Sequence, residues 1–172
     1  MWGRVVNNNY LCLNEMAKIR GMSFIGQIGA KLDAKNRVFF PAGFRRVLQE
    51  AKEIRLVVRK DVFENCLVVY PESQWRAEVE NVRSRLSRFD ADHQKVYRKL
   101  ISEAQEVTLD SSGRMLLSRN LLDKAGIAQD VLFVGMEQTI EIWAGTAGAD
   151  DKREPFMSDK EFVDSIKELM TE

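Results

Sequence analysis

The apolar positions of this chain fall into two series with the same rhythm. From Gln27 to Leu32, Ile28, Ala30 and Leu32 alternate with Gly29 and Lys31, the period of a strand. A turn at Ala34-Lys35-Asn36 follows, then a second strand from Arg37 to Phe40. Pro41 stops that strand and suits the first turn of a helix over Ala42 to Ala51. Two β-rich runs come next, Arg55 to Arg59 and Cys66 to Tyr70, joined by a polar turn through Asp61 and Asn65. The order is β-β-α-β-β. It recurs between about Ala104 and Trp143, where Gln105 to Leu109, Met115-Leu116-Leu117, Leu121-Leu122, Leu132-Phe133-Val134 and Ile140 to Trp143 take the corresponding places. Gly126 fits the position just past the second helix, where a left-handed residue is wanted. A unit of roughly 45 residues is therefore present twice.

Between the copies the period changes to that of helices. Trp75, Val79, Val82, Leu86 and Phe89 form an amphipathic stripe, with Ser73 as the N-cap candidate after Pro71. Asp90 or Asp92 is placed to cap a second helix carrying Val96, Leu100 and Ile101. After the second copy, Gly145 to Asp151 reads as a polar linker. Ser158-Asp159-Lys160-Glu161 then opens a last helix as a capping box, with Phe162, Val163, Ile166, Leu169 and Met170 on its apolar face. The division expected is a poorly ordered extension over residues 1–21, with Met22 a natural start. The first repeat follows over 22–75, a helical connector over 76–103, the second repeat over 104–146, and a linker with an amphipathic helix over 147–172.

One phrase marks each repeat. Asp33-Ala34-Lys35-Asn36-Arg37 is matched 77 residues later by Asp110-Ser111-Ser112-Gly113-Arg114. Asn36 and Gly113 hold the same place, and these residue types best tolerate positive φ, so both copies require a left-handed residue in a tight turn between strands. Asp33 and Asp110 are placed to accept turn N–H groups, and Arg37 and Arg114 to face them across the hairpin. One such copy is ordinary hairpin chemistry. The functional alternative is that a two-stranded ribbon presents Arg37 and Arg114 to the major groove, where arginine reads guanine bidentately, while Lys31 and Lys35 touch phosphates.

Composition narrows the choice. The chain has 172 residues, of which 45% are hydrophobic and 30% charged, the profile of a globular protein. No apolar run approaches the roughly 18 residues that cross a membrane. The two cysteines, Cys12 and Cys66, form no metal-ligand spacing, and a reduced cytoplasm is the expected setting. Net charge is zero, but it is unevenly spread. Between Ile28 and Glu50 five bases stand against two acids, and between Asp150 and Glu172 eight acids against four bases. Such asymmetry fits a polyanion on one face, although a set of solvated surface charges accounts for it as well.

At the repeated Asp-x-x-Asn/Gly-Arg phrase, the apolar strand after it, the short helix and the two further strands, the chain resembles the SpoVT-AbrB swapped-hairpin domain. Two such domains joined by helices resemble the MraZ family, as do Tyr70-Pro71 with Trp75 and Val134-Gly135 with Ile140-Glu141-Ile142-Trp143; the resemblance spans about Met22 to Trp143. It implies an α+β fold in which two β-β-α-β-β repeats pair their hairpins into a pseudo-symmetric barrel. It implies a homo-oligomeric ring, associated with the nucleoid, that binds short direct repeats in promoter DNA ahead of the division and cell wall genes and chiefly represses them. The family's DNA-contact arginine falls on Arg37, and its second copy on Arg114. Asn36 departs from the usual Gly, and Ser118 stands where the first repeat has Pro41, which is expected to loosen the second strand-to-helix junction.

Other readings carry less. His93, the single histidine, sits in a polar junction, and no phosphate loop, nucleophile elbow or metal motif is present, so no catalytic residue, cofactor or small-molecule substrate is expected. An antitoxin-like or assembly module is the alternative, since SpoVT-AbrB folds serve that way too. Against it, this chain closes a second repeat and ends in an amphipathic helix. Tyr70, Trp75 and Trp143 read as packing rather than base-stacking residues. With Lys31, Lys35, Arg45 and Arg46 around the first turn, and Glu106, Arg119 and Asp123 around the second, the first hairpin is expected to carry most of the DNA affinity.

Overall fold

The structure is a computed structural model that describes residues 21–145 and 156–171. The expected N-terminal extension lies almost wholly outside them, as does most of the linker after Gly145. Met22 and Phe24, just beyond that extension, are buried in the core.

The first repeat comprises β1 (Gln27–Lys31), β2 (Arg37–Phe39), α1 (Ala42–Glu50), β3 (Arg55–Lys60) and β4 (Cys66–Pro71). Then come α2 (Glu72–Ser84) and α3 (Ala91–Ser102). The second repeat is β5 (Gln105–Thr108), β6 (Arg114–Leu116), α4 (Arg119–Lys124), β7 (Asp130–Met136) and β8 (Thr139–Ala144). α5 (Asp159–Leu169) ends the described chain. The β-β-α-β-β order expected for both repeats is therefore observed.

The strands interlock. A six-stranded sheet runs β1-β7-β8-β4-β3-β5, and a two-stranded ribbon joins β2 to β6, all antiparallel. The first strand of each repeat thus pairs with the third strand of the other, Ile28 opposite Phe133 and Leu56 opposite Val107. The repeats swap hairpins, and exchanging them maps the strand order onto itself. The ladders form this sheet and this ribbon; among the described strands no ladder links the two into a continuous barrel. The reason lies at the turns. Asp33 N–H donates to the Arg37 carbonyl (2.8 Å), and there the pairing of β1 with β2 stops, because each strand takes its partner from the other repeat.

Alternation decides which side chains enter the core. Val38 and Met115 point inward from the ribbon, Phe133, Ile140 and Ile142 from the sheet, and Leu121 and Leu122 from α4. Phe40 ties these layers together, with its ring 5.8 Å from Phe133 and 6.3 Å from Phe44, both edge-on. A smaller cluster of Val57, Val68, Tyr70 and Trp75 lies under α2, where Tyr70 and Trp75 meet at 5.3 Å, the packing role expected of them. Gly135 lets the chain before β1 approach β7, since a Cβ there would lie 2.4 Å from the Phe24 carbonyl oxygen.

Several local expectations change. Ile28 falls on the same side of β1 as Ala30 and Leu32, yet it is 41% exposed; β1 is an edge strand, and only Leu32, beyond its end, is fully covered. Ser73 does not cap α2. The helix starts at Glu72 with Pro71 in the cap position, two residues earlier than a Ser73 cap implies, and the Ser73 hydroxyl is buried without a partner among the described residues. Ser118 tightens rather than loosens its junction: its backbone (φ −66°, ψ 146°) matches that of Pro41 (φ −54°, ψ 133°), and its hydroxyl accepts from Leu121 N–H. Asp90 caps α3 through Asp92 and His93 N–H, and His93 Nδ1 accepts from Ser87 N–H at 3.0 Å, making the histidine part of the α2–α3 junction.

Cys66 is fully buried in β4, and desolvation pushes its thiol up to about 12. Because Phe40 bridges the ribbon, α1 and the sheet, Phe40→Ala is expected to destabilise the fold by about 3–5 kcal/mol. Chemical denaturation followed by tryptophan fluorescence measures this; a loss below about 1 kcal/mol, the level of a typical point substitution, contradicts the assigned core.

Candidate nucleic-acid interface

The two Asp-x-x-x-Arg turns have the same geometry. Asn36 (φ 60°) and Gly113 (φ 77°) both take the left-handed conformation that the sequence requires. Each turn closes by a backbone bond, Asn36 N–H to Asp33 O (3.0 Å) and Gly113 N–H to Asp110 O (2.9 Å). Each carboxylate then accepts two backbone N–H groups with one oxygen: Asp33 Oδ1 from Lys35 and Arg37, Asp110 Oδ1 from Ser112 and Arg114. The other oxygen takes the arginine, Arg37 Nε at 2.8 Å from Asp33 Oδ2 and Arg114 Nε at 2.9 Å from Asp110 Oδ2.

This wiring fixes both partners. The N–H of Arg37, then that of Lys35 and the Arg37 guanidinium, hold the Asp33 carboxyl below its usual range. The N–H of Arg114, then its guanidinium and the N–H of Ser112, do the same for Asp110. The arginines are steered in turn. A guanidinium has five N–H donors in a rigid fork, and the carboxylate engages the Nε side. Arg37 Nη2 also lies 2.8 Å from Asp33 Oδ2, so the Nε side of that fork is held by the turn, and the Arg37 and Arg114 side chains keep 31% and 27% of their surface exposed.

The ribbon brings the two arginines together. Arg37 lies opposite Leu116, and Phe39 opposite Arg114. With Val38 and Met115 inside, Arg37, Phe39, Arg114 and Leu116 share the outward face. The arginines are therefore diagonal neighbours, about 7–8 Å apart at the backbone. Phe39 is 60% exposed and Leu116 53%. The Arg114 guanidinium sits 5.9 Å from the centre of the Phe39 ring, within cation–π range. Residues separated by 77 positions in sequence thus make one surface.

The surrounding charges depart from the sequence expectation in one respect. Lys31 faces Asp130 of β7 at 3.5 Å, and Lys35 stands exposed in the first turn. Arg45 was grouped with the first turn, but it lies over the second, where a Cβ on Gly113 would fall 1.9 Å from its guanidinium nitrogen. Interlocking places α1 beside the partner turn, so the second turn is not left near neutral. Phe39 escaped the sequence reading, Leu116 reads there as strand core with Met115 and Leu117 but is exposed, and the placement of Arg45 is not foreseen. Outward alternation within β2 and β6 could have flagged the first two; nothing local marks the third. Among the described residues no His, Cys, Asp and Glu cluster is placed to hold a metal, and no helix is long and apolar enough to cross a membrane.

Two interlocked β-β-α-β-β units displaying paired Asp-x-x-x-Arg turns define a duplicated swapped-hairpin protein of the SpoVT-AbrB type. Comparison with known proteins makes this specific. Residues 24–99 and 100–147 match the family model described as "MraZ protein, putative antitoxin-like". The chain is 44% identical over 149 residues to the transcriptional regulator MraZ of Bacteroides thetaiotaomicron, covering 87% of this chain and 93% of that one. The Bacteroides fragilis regulator matches at 44% over 149 residues, covering 87% and 92%, and that of Serratia proteamaculans at 35% over 120 residues, covering 70% and 78%. The chain belongs to the MraZ family.

Both turn aspartates titrate below the ordinary carboxylate value of about 3.9. A depressed folded pKa stabilises above the unfolded value, and that contribution is lost as pH falls through the folded one. Each turn is therefore expected to hold at neutral pH and loosen only below about pH 4. Carbon-detected NMR titration of Asp33 should give a midpoint below the ordinary value. Arg37→Ala should raise it only in part, because the residue-37 N–H, the leading cause, remains. A wild-type midpoint at or above the ordinary value contradicts the turn geometry.

Proposed function

We propose that this chain is a sequence-specific DNA-binding transcriptional regulator, with the β2–β6 ribbon and its flanking turns as the reading surface. The observation that carries the reading is the pair of arginines on one outward ribbon face, each braced by its own turn aspartate. A two-stranded ribbon fits the major groove, and an arginine braced along its Nε side offers its far edge to guanine O6 and N7. Lys35 and Lys31 on one flank and Arg45 on the other supply phosphate contacts, which set position and register without reading sequence. The names of the MraZ relatives support the same class.

The regulator acts in the cytoplasm at the nucleoid, as a homo-oligomer with its Asp-x-x-x-Arg turns displayed together around a ring. It binds short direct repeats in the promoter of the division and cell wall gene cluster and chiefly represses that cluster. Repetition of the surface around a ring matches repetition of the DNA element and multiplies a modest single-site affinity.

Genomic fragments retained by the purified protein and sequenced are expected to be enriched in one promoter carrying tandem short repeats; retention without any preferred sequence contradicts the reading. On that fragment, Arg37→Ala and Arg114→Ala are each expected to cost about 1–3 kcal/mol per site and to relax base preference. Arg45→Ala should weaken all sequences alike and flatten the salt dependence, as removal of a phosphate contact does. Gel shifts at two salt concentrations measure both. Unchanged binding by Arg37→Ala and Arg114→Ala removes the ribbon from the interface.

A further inference from the structure

Two apolar helical faces have no partner among the described residues. The first is on α5. Phe162, Val163, Ile166 and Leu169 recur at helical spacing, yet no residue of α5 is buried, and Phe162 is 56% exposed. The Ser158–Glu161 capping box fixes the start of the helix. At 11 residues, however, α5 is shorter than the ~12–15 at which isolated helices become even marginal in water, so its persistence calls for packing.

The second face is on the connector. No residue of α3 is buried, and α2 buries only Ser73. Val96 and Leu100 lie one turn apart, beside Tyr97 and Ile101, and form a single apolar side that remains open. Phe89, in the turn before α3, is wholly exposed.

Within the connector it is α3 that complements α5 in charge. α3 carries Lys95, Arg98 and Lys99 against Asp92, whereas α2 carries Glu72, Glu78 and Glu80 against Arg76 and Arg83. α5 carries Asp159, Glu161, Asp164 and Glu168 against two lysines. Opposed surface charge of this kind guides and orients association.

The exit of β8 suits a second copy as the partner. Cys66 pairs with Trp143, while Leu56 pairs with Pro71. β8 therefore leaves the sheet at the end of β4 opposite to that from which α2 springs. The tail exits away from the root of its own connector. We propose that α5 of one copy lays its apolar face on the α2–α3 connector of a second copy, burying the Phe162–Ile166 side against Val96 and Ile101. This contact is independent of the DNA-reading surface, which lies on the ribbon.

Cross-linking between full-length chains tests it. In a background lacking Cys12, one chain carries Ile166→Cys and another Val96→Cys; both positions are on exposed helix faces, and the buried Cys66 thiol stays inert. A short bismaleimide should give a covalent dimer in the mixture, and adding Phe162→Asp to the Ile166→Cys chain should abolish it. No dimer in the mixture overturns the proposal. So does a chain bearing both cysteines that closes on itself and stays at monomer mass, which would place α5 on its own connector.

Discussion

Every other feature of this protein depends on strand pairing between the two repeats. Among the described strands, the only ladder within one repeat is between its last two, β3 with β4 or β7 with β8. All remaining pairs, β1·β7, β5·β3, β4·β8 and β2·β6, cross from one repeat to the other. A repeat alone would leave the backbone groups of β1 and β2 without partners, a cost that folded proteins avoid. The duplication is therefore one cooperative unit rather than two modules in series. Its core confirms this, since Phe40 from the first repeat packs edge-on against Phe133 from the second.

The same constraint builds the functional surface. Since β2 and β6 are three-residue strands held by each other, their outward residues are set by register alone. That register puts Arg37 and Arg114 on one face, while Asp33 and Asp110 hold each guanidinium from behind. Such arginine–aspartate pairs at the surface contribute little to stability. Their value is orientation, which reduces what a long side chain loses in entropy when it docks on a base edge. The swap also sends Arg45 from the first repeat to the turn of the second, so the two turns are more alike in charge than the linear sequence implies.

Legibility in the sequence divides along a physical line. Local rules gave the elements: alternation marked the strands, Asn36 and Gly113 marked the left-handed turns, and Asp90 and Ser158 capped the helices they were expected to cap. These depend on contacts within a few residues. The choice of strand partners does not, because alternation says which face is buried but not which strand lies alongside; the swap was legible only through resemblance to a family. Where a residue's setting depends on that partner, the sequence reading went astray. Ile28 is exposed because β1 is an edge, Arg45 serves the other turn, and Ser73 was displaced from its cap by a helix that starts at Glu72, where Arg55 and Arg76 hold the carboxylate. The arginines of the site were legible as residue types in a repeated phrase. Their union in one surface, and the exposed Phe39 and Leu116 between them, required the fold.

The central claim is that both repeats contribute to a single DNA-reading face. Amide hydrogen exchange of the full chain, with and without the promoter fragment it selects, tests this directly. The account predicts slowed exchange at residues 33–39 and 110–116 together, with α2 and α3 unchanged. Protection confined to one turn, or found on the connector instead of the ribbon, would contradict it.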